Sequence, residues 1–96
     1  MVPQDLKGPE YDGVVVGLEH AFARVLRQLR MERNLSQQEL ATESGLGRTF
    51  ISLLERGFRR PSLSTIFLLA RPLGLTPSEL VHAVDEKLRA GYRQRR

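Results

Sequence analysis

Apolar residues recur at helical spacing in five stretches of this 96-residue chain. In residues 18–33, Phe22, Val25, Leu26 and Leu29 fall at i, i+3, i+4 and i+7, and Arg24, Arg27 and Arg30 lie mostly on other faces. That period predicts an amphipathic helix. Leu40 and Ala41 begin the apolar face of a second helix over 37–44, and Phe50, Ile51 and Leu54 form that of a third over 49–56. A fourth carries Leu63, Ile66, Phe67, Leu69 and Ala70, and a fifth carries Leu80, Val81, Val84 and Leu88. Residues 1–17 hold two prolines and three glycines and no helical period. Their single apolar run, Val14-Val15-Val16, suits a short strand, an arm across a partner or a loosely ordered leader.

Polar residues and glycines punctuate these stretches. Ser36 with Glu39 three residues on makes a capping box, Ser62 can cap the fourth helix, and Thr76-Pro77-Ser78-Glu79 is the clearest helix start in the chain. Asn34, Gly45 and Gly57 stand where helices should stop. Pro72 should end or kink the fourth helix around Ala70, because it lacks a backbone donor and crowds the preceding turn. The tail beyond Gly91 is expected to fray. The reading is an all-α bundle with an irregular leader at 1–17, a domain at 18–90 and a basic tail at 91–96.

The second and third helices are both short, and Gly45-Leu46-Gly47 separates them. Two short helices across a tight glycine-containing turn make a helix-turn-helix, which predicts DNA binding. Charge fits that reading. The whole chain carries +4; residues 1–20 carry −3, from Asp5, Glu10, Asp12 and Glu19 against Lys7, so the other 76 residues carry +7. A basic body suits a polyanion, although a solvated cationic surface would have the same charge; the motif decides between them.

The run S-Q-Q-E-L-A-x-x-x-G-L from Ser36, then I-S-x-x-E-R-G from Ile51, then P-S-L-x-T-I-x-x-L-A-x-x-L from Pro61 closely resembles the lambda-repressor-like (XRE, Cro-like) helix-turn-helix family. The resemblance covers residues 25–81. It implies a compact five-helix domain, usually dimeric, that binds operator DNA. Counting round the third helix leaves Arg48, Thr49, Ser52 and Leu53 outside, at the positions that read bases in the family. Arg48 can donate two hydrogen bonds to guanine, and Thr49 and Ser52 offer hydroxyls. Leu53 departs from the family's long polar residue; it suits either a thymine methyl or the domain's own surface. By resemblance Gln37 bonds a phosphate, and its position would also let it brace a side chain of the recognition helix. Arg56, Arg59 and Arg60 cluster where phosphates line the groove. Phe58 among them is unusual and is expected to pack into the fourth helix or lie along the sugar-phosphate edge. Glu55, an acid near DNA, needs a partner, and a neighbouring arginine is the expected one. Leu80 and Val81 should close the monomer core against the fourth helix. Val84 and Leu88 then extend the stripe as a homodimer interface, with packing against residues 14–26 as the alternative.

Catalysis has little support. There is no cysteine, His20 and His82 lack neighbours at metal-ligand spacing, no serine near the turn has a nearby histidine, and no phosphate-cradling GxxxxGK[ST] loop is present. No catalytic residue, metal or cofactor is expected. No apolar run approaches a membrane span and no signal-peptide pattern starts the chain, so a cytoplasmic protein is expected. The leading reading is a sequence-specific transcriptional regulator, a repressor-type homodimer on a palindromic double-stranded DNA operator. The competing one is an antitoxin-type module with an unknown protein partner and secondary DNA binding. The arginine cluster favours the first.

Overall fold

The computed structural model describes residues 17–94, with side chains for 17–91. Residues 1–16 of the expected leader at 1–17 and the last two tail residues lie outside that range. Five helices follow in order: α1 (Leu18–Glu32), α2 (Gln37–Ser44), α3 (Arg48–Glu55), α4 (Leu63–Ala70) and α5 (Pro77–Gln94). Each boundary has a local cause. The Ser36 and Thr76 capping boxes both form: Ser36 Oγ accepts from the Glu39 N–H at 3.0 Å, and Thr76 Oγ1 from the Glu79 N–H at 3.1 Å. Reciprocally, the Glu39 and Glu79 carboxylates accept from the backbone of Ser36 and Thr76. Ser62 caps α4 through the Thr65 N–H at 3.1 Å. Each cap stabilises its helix by about 1 kcal/mol. α4 ends at Ala70, two residues before Pro72. α5 instead runs through Gly91 to Gln94, so the expected fraying point does not end the helix.

Fully buried Phe22, Leu26, Leu40, Ile51, Leu54 and Leu80 join side chains from α1, α2, α3 and α5, and Leu69 adds α4. Burying one such side chain is worth about 1.5–3 kcal/mol. α1 packs on both α3 and α5, α2 on α3, and α4 on α5.

The α1–α5 packing corrects the interface expectation. Val84 is 5% exposed and belongs to the monomer core, and Leu88 is half-buried against that core. Val81, expected inside, is 49% exposed. The seam of α5 follows Leu80 and Val84, one turn apart, and this turns Val81 outward. Leu63 and Phe67 are also exposed, because α4 buries the opposite side through Thr65, Ile66, Leu69 and Ala70.

Candidate nucleic-acid interface

The α2–α3 turn is built by three residues and one hydroxyl. Gly45 takes a left-handed φ of 80°, and its N–H returns to the Ala41 carbonyl at 2.9 Å. A side chain would strain that conformation. Buried Ser44 donates to the Ala41 carbonyl and accepts from the Leu46 N–H, both at 3.3 Å, which ties the end of α2 to the turn. Gly47 is extended at φ −75° and opens α3.

Ile51 and Leu54 bury the inner side of α3, and half-buried Phe50 packs against the core. Arg48 and Thr49 are exposed on its first turn; Ser52 and Leu53 are half-buried further along. These four share the side of α3 away from the core. Arg56 follows Ser52 by four residues and is exposed on the same side.

α3 is held from behind by a part-buried charge pair. Arg30 of α1 donates from Nε to Glu55 Oε2 at 2.5 Å and from Nη2 to Glu55 Oε1 at 2.9 Å. Its Nη1 donates to the Leu35 carbonyl at 2.7 Å, so the fork also fixes the α1–α2 link. Gln37 Nε2 joins Glu55 Oε1 at 3.1 Å. The hydrogen bonds to Glu55 raise the Arg30 pKa above the ordinary arginine value, so the guanidinium stays charged. The partner of Glu55 is thus Arg30, 25 residues earlier, and not one of the arginines beside it. Spacing on α1 put Arg30 outside the apolar stripe; at the stripe's edge it reaches inward. Gln37 does brace α3, with one of its two amide N–H donors on Glu55.

After α3 the chain turns through Gly57 at φ 77°. The Gly57 N–H bonds the Leu54 carbonyl at 3.1 Å and the Phe58 N–H bonds the Leu53 carbonyl at 3.0 Å, a Schellman-type stop. The His20 ring lies against Gly57, where an added Cβ would sit 3.2 Å from Nδ1. Arg60 donates from Nε to Glu19 Oε2, which holds the Glu19 carboxyl below the usual carboxylate range. Arg59 is exposed. Phe58 does not pack into α4: it is 66% exposed, and the Arg56 guanidinium carbon lies 5.1 Å from its ring centre.

His82 is exposed and sits 3.8 Å from Glu86 on the same helix face. Among the described residues no cluster of His, Asp and Glu is placed to hold a metal, and no helix is long and apolar enough to cross a membrane.

A family model described as helix-turn-helix matches residues 26–80. The control protein C.BamHI of Bacillus amyloliquefaciens is 43% identical over 61 residues, 62% of this chain and 75% of that protein. The restriction-modification controller C.AhdI of Aeromonas hydrophila superposes with a TM-score of 0.62 at 44% identity, over 65% of this chain and 94% of its own. The controller C.Esp1396I, solved as a tetramer in complex with its natural 35 base-pair operator, superposes at 0.68 with 25% identity, over 74% of this chain and 93% of its own. With its turn, its buried inner face and its exposed polar face on α3, the chain belongs to the helix-turn-helix family of DNA-binding transcriptional regulators.

Proposed function

We propose that this chain acts as a cytoplasmic homodimer that reads a palindromic operator with α3 and works by occupancy, without a catalytic step. The observation that carries the reading is the exposed start of α3: Arg48 and Thr49 project from a helix locked behind by Arg30 and Glu55. Arg48, Thr49, Ser52 and Leu53 read base edges in the major groove. Arg56, Arg59 and Arg60 set the register on phosphates, with Gln37 contributing through the N–H that Glu55 leaves free. Residues 18–90 form the DNA-binding domain, residues 1–17 precede it as a leader, and residues 91–96 are the basic tail.

Pairing of two copies follows from the size of the readout. One recognition helix covers too few base pairs to locate an operator among a genome's competing sites. Among the described residues, α4 and α5 expose the large apolar side chains of Leu63, Phe67, Leu68 and Val81, each at least 46% exposed, and these are available for pairing. α4 packs directly on α5, so this face replaces Val84 and Leu88 as the proposed interface. The operator-bound tetramer of C.Esp1396I supports assembly on DNA.

Selection of fragments from random duplex DNA by the purified protein tests the proposal. The expected product is a motif with two-fold symmetry and half-sites about one helical turn, ~34 Å, apart. Recovery of unselected sequence at every salt concentration would overturn it.

A further inference from the structure

A two-thirds-exposed phenylalanine between arginines is chemically out of place on a phosphate-facing loop, and its surroundings say what it does. The Schellman-type stop fixes the Phe58 backbone through its N–H bond to Leu53. Such a stop usually rests the apolar side chain on the helix it closes. Here the ring stays 66% exposed and takes the Arg56 guanidinium 5.1 Å from its centre. Arg56 is itself exposed and extends the face of Thr49 and Ser52 by another turn. A guanidinium over a ring spends its flat face there and keeps its in-plane N–H donors for a phosphate. Stacking also restricts a long side chain before DNA arrives, which lowers the ordering cost of binding.

We propose that Phe58 is a positioning residue for DNA binding: it holds the Arg56 guanidinium edge-on to one backbone phosphate beside the major groove. Phe58 contributes no charge and reads no base. Its influence reaches DNA through Arg56 and is the same on every sequence. The inference rests on the reading of α3 as the DNA-contacting helix.

The test compares the full chain with Phe58→Ala, Phe58→Leu, Phe58→Trp, Arg56→Ala and the Arg56→Ala/Phe58→Ala double variant. Binding to the selected operator duplex and to a random duplex is followed by fluorescence anisotropy across a salt series. Circular dichroism melting checks that each variant is folded. Without the exposed cation–π stack, Phe58→Ala and Phe58→Leu should bind roughly two- to fivefold more weakly, equally on both duplexes. Phe58→Trp, which keeps a π face, should bind as the parent does. Arg56→Ala should lower the slope of log K against log salt by about 0.9, and adding Phe58→Ala to it should cost nothing more. Full affinity in Phe58→Ala or Phe58→Leu overturns the proposal, as does an additive effect in the double variant. A Phe58 that serves a protein partner would give that first result. If the parent binds duplex DNA and Arg48→Ala relaxes its sequence preference, such a failure belongs to Phe58 alone. A parent that binds no duplex overturns both readings.

Discussion

Arg30 and Glu55 meet side-on through two parallel hydrogen bonds, with both side chains largely withdrawn from solvent: 12% and 2% exposed. The pair joins the end of α1 to the end of α3, and Gln37 and the Leu35 carbonyl complete it from the start of α2. One guanidinium therefore ties α3 to both α1 and the α1–α2 link, beside the apolar seat that Ile51 and Leu54 provide. Removing Arg30 leaves the Glu55 carboxylate, 2% exposed, without its counter-charge and with the Gln37 amide still bonding it. Arg30→Ala should lower stability by roughly 1–3 kcal/mol, and Arg30→Met combined with Glu55→Leu should recover much of that decrease. Urea unfolding of the single and double variants measures it; an Arg30→Ala midpoint equal to the parent's would show the pair holds nothing.

Arg48 is exposed on the first turn of α3. Arg48→Ala should weaken operator binding by roughly 1–3 kcal/mol and relax preference at one base position. Repeating the fragment selection with the variant checks this. A motif unchanged at every position would remove Arg48 from base readout.

Arg59 and Arg60 follow Gly57, but they start from different situations, since Arg60 already donates to Glu19 through Nε. That bond leaves the Nη edge of Arg60 for a phosphate. Replacing both with Ala should lower affinity for all sequences alike, with the salt slope falling by about 0.9 for each phosphate left without its arginine. A slope that drops for Arg59→Ala and stays constant for Arg60→Ala would assign Arg60 to holding Glu19 alone.

The Glu19–Arg60 pair also predicts a pH response. Hydrogen bonding to Arg60 lowers the folded-state pKa of Glu19, so the folded chain takes up this proton less readily than the unfolded one. The pair's contribution is then complete above the ordinary carboxylate range and disappears as pH falls through the lowered value. Glu19→Gln should melt below the parent at neutral pH, and the gap should narrow in acid. Melting curves from neutral to strongly acidic pH follow the difference; a constant gap would mean that this ion pair is not the cause.

Leu63 and Phe67 face solvent, whereas Val84 is buried in the core on a helix packed against α1. Leu63→Glu with Phe67→Glu should yield a folded monomer that binds palindromic DNA weakly. Val84→Glu should instead unfold the domain, because it places an unpaired carboxylate in the core. Analytical ultracentrifugation with circular dichroism separates the two outcomes. A dimer as tight as the parent in the first variant would exclude the α4 face as the interface.

The elements and their order were legible in the amino-acid sequence because local chemistry sets them. Ser36, Ser62 and Thr76 start helices with their own side chains, and Gly45 and Gly57 end them by tolerating a left-handed turn. Family spacing added the exposed face of α3, since which residues point away from Ile51 and Leu54 follows from the helical period. What the sequence left open are matters of reach and rotation between helices. Long side chains cross distances that spacing does not record. Arg30 thus takes Glu55 across 25 residues, and Arg60 ties down Glu19 across 41. A few tens of degrees of rotation of α5 decide whether Val81 or Val84 lies inside, and both fit the same apolar stripe. The packing of α1 against α5 set that angle, so tertiary structure alone separated the core from the exposed face.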